Sequence, residues 1–199
     1  SKIIYFIHGV LLALCALYLF LISKNLFPKV ETRNLTIIWF ALFTILFHEN
    51  SFFSGVAGQS VIDVGYQPAS FGILFFIGIY YFLINKYYLC VLFICLGASF
   101  HPTYVLHSGF LVLGILTYFI LSKNYRNFLK TLILYSILIL PITLFIFINF
   151  LTMDENLTSL GQEILLKRIP HHADIRYWLS YKDLFFLVIY FYALYIIRN

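Results

Sequence analysis

Thr103-Tyr-Val-Leu-His107-Ser-Gly-Phe-Leu-Val-Leu-Gly-Ile-Leu-Thr-Tyr-Phe-Ile-Leu121 contains no Asp, Glu, Lys or Arg. As a helix rising 1.5 Å per residue it would be about 28 Å long, close to the thickness of a bilayer's hydrocarbon core. Its apolar residues surround the helix instead of forming one stripe, so it has no face suited to water. His101-Pro102 precedes it and Ser122-Lys-Asn124 follows it. The stretch therefore predicts a membrane span closed by a sharp turn on one side and a basic turn on the other.

The pattern repeats along the chain. Apolar helices are predicted over Ile3–Ile22, from near Leu35 to His48, over Ala69–Ile84, Tyr87–Phe100 and Thr103–Leu121, from about Phe128 to Leu151, and over Leu184–Ile197. Pro141 is expected to kink the sixth. Composition agrees: 62% of the residues are hydrophobic and 11% charged, against about 25% charged in soluble domains. The fold class is all-α, an integral membrane helical bundle of about seven transmembrane helices. Residues 1–199 form a single polytopic membrane domain, with long outer-side loops at 48–68 and 152–182. Because the chain starts at Ser1 and stops just after an apolar run, it is expected to be a fragment of a larger multispanning protein. Cys15, Cys90 and Cys95 lie inside apolar runs with no disulfide or zinc spacing and are predicted to be small buried hydrophobes.

Charge sets the orientation. Alternating seven spans puts Lys24, Lys29, Arg33, Lys86, Lys123, Arg126, Lys130 and Arg198 on one side. The opposite side receives Lys2, the loop 48–68 without Lys or Arg, the His101-Pro102 turn and the loop 152–182. Short basic loops stay cytoplasmic, and long loops cross whatever their charge. The first side is therefore inside. The net charge of +5 comes from residues scattered at helix ends, which suits a lipid bilayer partner and not nucleic acid. The localisation that follows is the cell membrane, as a multi-pass protein.

The outer side then collects His48, Glu49, Asp63, Gln67, His101, Arg168, His171, His172, Asp174 and Arg176, with His107 just below the surface. Two predicted helices stop short there, one at His48 and one at Phe100, suggesting a polar depression. The densest stretch is Arg168-Ile-Pro-His171-His172-Ala-Asp174-Ile-Arg176-Tyr-Trp178. Ahead of it, Ser159-Leu-Gly-Gln162 resembles a capping box, and Leu160, Ile164 and Leu165 share one face. A short amphipathic helix lying on the membrane surface is predicted there.

Three chemistries compete for these residues. His48-Glu49 begins an intramembrane zinc-protease motif, but Phe52 stands where the second histidine belongs, and the adjacent His171 and His172 diverge by about 100° if helical. No metal ligands are assigned, and a loosely held divalent cation is the one cofactor left open. Arg168 and Arg176 suit a lipid phosphate, since arginine offers a planar fork of donors; the plainer alternative is contact with anionic headgroups. A transporter of an anionic solute should carry ionisable residues near the midplane of an internal repeat, and no repeat is visible.

Gly97-Ala-Ser-Phe-His101-Pro102-Thr103 ahead of an apolar helix, and Arg168-Ile-Pro170-His171-His172 followed by Trp178, resemble elements of bacterial GT-C-like membrane glycosyltransferases of the envelope polysaccharide type. The resemblance covers about residues 48–178. It implies a polyprenyl-phosphate-linked sugar as donor and work at the outer face of the membrane. His48, Gln67, His101, His107, Arg168, His171, His172, Asp174, Arg176 and Trp178 would then hold substrate and phosphate, with Trp178 stacking on sugar or anchoring at the interface. The class carries its catalytic acid in the first outer loop. The first helix here runs from outside to inside, so that loop is expected upstream of Ser1, and Glu49 and Asp63 are secondary candidates. The alternatives are a non-enzymatic carrier or assembly component for envelope polymers, and the anionic-solute transporter.

Overall fold

A computed structural model describes residues 2–48, 68–101, 103–151, 159–161, 163–164, 167 and 188, and among them there is helix and no strand. The chain divides into two compact units, Ser1–Phe53 with Ser60–Thr152, and Ser54–Gln59 with Met153–Asn199. The first unit contains α1 (Lys2–Leu26), α2 (Thr32–His48), a 3-10 turn (Pro68–Gly72) leading into α3 (Ile73–Leu83), then α4 (Tyr87–Phe100), α5 (Thr103–Leu121) and α6 (Tyr125–Ile146). Among the described residues, three segments are long and apolar enough to cross a membrane: Lys2–Leu26, Thr103–Leu121 and Tyr125–Asn149.

The ends of α4 and α5 fall where the sequence puts them. α3 is shorter than the expected Ala69–Ile84, because Pro68–Gly72 forms a 3-10 turn ahead of it, whereas α1, α2 and α6 begin earlier than expected and α1 also ends later. α1 continues beyond Ile22 to Leu26, because Ser23 Oγ donates to Leu19 O at 2.9 Å and Asn25 Nδ2 to Leu21 O at 2.8 Å. The predicted basic loop thus shrinks to a turn before Thr32. α6 starts at Tyr125 because the Asn124 side chain caps it, accepting from Asn127 N at 3.3 Å. Pro141 lies inside α6, and the helix widens into a π turn only at Phe147–Leu151.

α4 is the central helix. It packs on α3, α5 and α6, which is why Cys90, Val91, Ile94, Cys95 and Ala98 are all buried. Two glycines set the α3–α4 approach. A Cβ on Gly78 would lie 2.8 Å from Ile94 Cγ1 and 3.1 Å from the Cys90 carbonyl, and one on Gly97 would lie 2.9 Å from Phe75 Cε1. Small residues at such crossings let helix backbones come close where lipid supplies no hydrophobic driving force between helices. α1 adds a second, smaller core by seating Leu11 and Cys15 against Ile73. The outer surface is the reverse of a soluble protein's: in the apolar window of α6 only 6% of the residues are buried.

Both turns at one end use the same stop. Lys86 N bonds Tyr81 O and Asn85 N bonds Phe82 O, with Asn85 at φ 60°. Asn124 N bonds Phe119 O and Lys123 N bonds Ile120 O, with Lys123 at φ 57°. These paired bonds satisfy the last carbonyls of α3 and α5. Lysine in the left-handed region costs roughly 1 kcal/mol, which glycine would avoid.

In the second unit, Ser159–Gly161, Glu163, Ile164 and Lys167 are helical. Lys167 and Glu163 pair at 2.6 Å across one helical turn, and both are well exposed. Such a pair contributes only a few tenths of a kcal/mol. Leu160 and Ile164, one turn apart, are exposed on this segment, and Leu165 of the predicted amphipathic face lies outside the described residues.

Candidate functional site

The two ends of the first unit differ in chemistry. Tyr18 of α1 meets Tyr80 of α3, and Lys130 lies 5.9 Å over the Tyr88 ring. Lys24, Lys29, Arg33, Lys86, Lys123, Arg126 and Lys130 all belong to this end, at the turns α1–α2, α3–α4 and α5–α6. At the other end Phe71 stacks on Phe100 at 3.7 Å and 7°, and Phe75 meets Tyr104 edge-on at 5.2 Å. His101, Thr103 and His107 lie here, where α4 ends and α5 begins.

This histidine end is built from a short extended link. Pro102 follows His101, and a residue before proline is pushed out of helical geometry; His101 has φ −145° and ψ 126°. Its carbonyl accepts from Tyr104 N at 2.9 Å, which starts α5. The His101 imidazole then turns onto the new helix, with Nδ1 2.7 Å from Thr103 Oγ1. One turn on, His107 Nδ1 lies 2.9 Å from the Thr103 carbonyl oxygen. A carbonyl can only accept, so Nδ1 of His107 carries the proton. In the neutral ring that leaves the lone pair on Nε2.

Tyr104 holds the two imidazoles apart. Its ring centroid is 5.2 Å from that of His101 and 5.6 Å from that of His107, and the tyrosine is 7% exposed. The buried phenol ring therefore fixes both histidines from below while His107 stays exposed. An exposed imidazole with a fixed tautomer can accept a hydroxyl proton through Nε2, or donate to a phosphate oxygen once protonated. Among the described residues no group of three or more His, Cys, Asp or Glu is arranged to hold a metal ion.

Of the sequence-predicted site residues, His101 and His107 come together around Thr103 and Tyr104. His48 closes α2. Glu49, Asp63, Gln67, Arg168, His171, His172, Asp174, Arg176 and Trp178 lie outside the described residues. Two groups at this end, Thr103 and Ser108, are not among the candidates read from the sequence, whereas His8 reads as a packed histidine. Thr103 supplies both partner atoms to the histidines; its place two residues after His101 was the available signal. Ser108, fully buried, bonds Tyr135 of α6. His8 of α1 is 8% exposed, and its Nδ1 has no hydrogen-bond partner among the described residues. It follows the i, i+3, i+7 spacing of Leu11 and Cys15, the face of α1 that meets Ile73. Comparison with known protein families, curated proteins and solved structures finds no match.

Proposed function

We propose that the protein is a multi-pass membrane protein of about seven spans that binds a lipid-phosphate-linked sugar at its histidine end and transfers the sugar there, as a GT-C-type glycosyltransferase. The observation that carries this reading is the division of the first unit into an end with Lys24, Lys29, Arg33, Lys86, Lys123, Arg126 and Lys130 and an end with His101, His107 and a single basic residue, Lys2. Basic short turns stay cytoplasmic, so the histidine end faces outward, where a polyprenyl-phosphate donor would present its head. His107, and His101 beside it, supply hydrogen bonds to a leaving phosphate, whose developing charge is what such a site must stabilise. The acceptor hydroxyl needs a base, and Glu49 and Asp63 are the carboxylates proposed for it.

A binding role without chemistry, as a carrier or assembly component for envelope polymers, would use the same histidines and threonine, since these groups bind and orient. The test is reconstitution of the full-length protein in liposomes with a panel of radiolabelled polyprenyl-phosphate sugars. Transfer to an acceptor with release of polyprenyl phosphate is expected, and it should drop in His107→Ala. Saturable binding of the donor with no turnover would leave the carrier reading. Neither binding nor turnover with any donor would remove both.

A further inference from the structure

An apolar groove of about 210 Å³ opens on the flank of the first unit, lined by Ile79, Phe82, Ile94, Leu111, Gly114 and Tyr118. Ile94, wholly buried on α4, forms the floor together with Ile115, while Gly114 and Tyr118 are exposed at the rim. Gly114 makes the opening, since a Cβ built there meets nothing within 4 Å. Phe82 and Tyr118 close one end in an edge-to-face contact at 5.2 Å. From Leu111 to Tyr118 the groove follows α5 for roughly 10 Å at 1.5 Å per residue. An apolar hollow does not hold ordered water, and this one exceeds the about 150 Å³ of an apolar cavity that takes up a benzene.

Its position selects the leaflet. Leu111–Tyr118 is the second half of α5, and Ile79–Phe82 the last part of α3, so the groove runs from mid-bundle to the basic end. A chain lying in it belongs to a lipid whose headgroup sits at the α3–α4 and α5–α6 turns. Those turns present Lys86 and Lys123, both exposed and without an ion pair among the described residues, with Arg126 beside them. Lysines at that level attract anionic headgroups.

We propose that this groove seats one acyl chain of an anionic phospholipid from the leaflet at the basic end, with its phosphate drawn to Lys86 and Lys123. This rests on the membrane-spanning reading but not on the glycosyl-transfer reading, since the groove and the histidines are at different depths. The full-length protein, purified in non-ionic detergent, is offered equal phosphatidylglycerol and phosphatidylcholine and examined by native mass spectrometry. Retention of one phosphatidylglycerol is expected, at least about fivefold over phosphatidylcholine, the ratio that about one well-placed lysine supplies. Gly114→Leu should lower retention of both lipids by about tenfold by filling the seat, with Gly114→Ala in between. Lys86→Gln with Lys123→Gln should bring the ratio to about one.

The open space at Gly114 lets its variants fold, and an unchanged unfolding midpoint verifies that. Equal retention of the two lipids by the unaltered protein, or retention unchanged in Gly114→Leu, overturns the proposal. Alkaline carbonate extraction of native membranes keeps the two readings apart. Release without detergent removes the spanning reading itself. A protein that needs detergent yet keeps no phosphatidylglycerol loses only the lipid seat.

Discussion

The Ser108 hydroxyl of α5 lies 2.9 Å from the Tyr135 hydroxyl of α6, and also 2.7 Å from the Val105 carbonyl. The carbonyl can only accept, so the single serine proton goes to Val105 and Tyr135 must donate to Ser108. The direction of the bond is thus fixed by chemistry, and it ties two candidate spanning helices together below the histidine end. Interhelical hydrogen bonds of this kind in membranes contribute about 0.6 kcal/mol on average and up to about 1.7.

Tyr135→Phe is accordingly expected to lower stability by about 0.6–1.7 kcal/mol, because only the hydroxyl is lost. Ser108→Ala should cost somewhat more, since it strands the tyrosine donor in a half-buried site. The double variant should be no worse than Ser108→Ala alone. Unfolding midpoints in detergent measure this, and additive losses would mean the two hydroxyls do not act as a pair.

The glycines divide into two classes. Gly78→Ala forces a Cβ to 3.1 Å from a backbone oxygen and 2.8 Å from Ile94, so α3 and α4 must separate, at a cost of roughly 1–3 kcal/mol. Gly97→Ala meets the Phe75 ring at 2.9 Å and should be milder, since a side chain yields more readily than backbone. Gly9→Ala and Gly114→Ala meet nothing within 4 Å, and should be neutral or gain up to about 1 kcal/mol of helix propensity. A Gly78→Ala protein as stable as the Gly9→Ala one would contradict the α3–α4 packing described here.

Orientation is open to direct measurement. Cys15, Cys90 and Cys95 are buried and should stay silent to an impermeant thiol reagent in intact cells. Arg126→Cys, at the basic end, should label only after permeabilisation. Ser159→Cys should label from outside, as the predicted outer loop requires. Labelling of Arg126→Cys in intact cells would turn the protein over and move the histidine end to the cytoplasm.

Much of the helical layout was legible because an apolar run states its own length. The limits of α4 and α5 could be read from Lys86, His101-Pro102 and Ser122-Lys123, residues whose chemistry ends a helix. The extension of α1 to Leu26 was not, because Ser23 and Asn25 look like loop residues until each is seen bonding the carbonyl four residues back. The grouping of His101 with His107 was legible from the alternation of apolar runs, which puts both where α4 ends and α5 begins. Its geometry was not, since it depends on a backbone carbonyl of Thr103 and on Tyr104 turning inward, and neither leaves a mark in a hydropathy pattern. The bond between Ser108 and Tyr135 joins positions on different helices whose rotation is set by their packing on α4 and on each other. His8 shows the same limit: its spacing from Leu11 and Cys15 predicts burial, but nothing in the sequence indicates that its Nδ1 has no partner among the described residues.

Arg168-Ile-Pro-His171-His172 is the densest polar stretch of the sequence, and its role is open to substitution in parallel with the histidine end. If Arg168 and His171 grip a lipid phosphate, and His107 donates to one at the histidine end, each contact stabilises charge that develops as the sugar leaves. Arg168→Ala, His171→Ala and His107→Ala in the full-length protein should then each lower turnover by about 10²–10³, the usual loss for one such donor, with membrane insertion intact. Arg168→Lys should fail almost as badly, because a point charge does not reproduce a two-pronged contact. Thr103→Val separates support from contact. It removes the hydroxyl beside His101 but keeps the carbonyl that fixes His107, so it should be milder than His107→Ala. Trp178→Phe should be mild if Trp178 is only an interface anchor, and Trp178→Ala severe if the indole stacks on a sugar. Turnover at the unaltered level in Arg168→Ala and His171→Ala would leave that loop as a clamp on the membrane surface and shift the carrier reading ahead of the transferase.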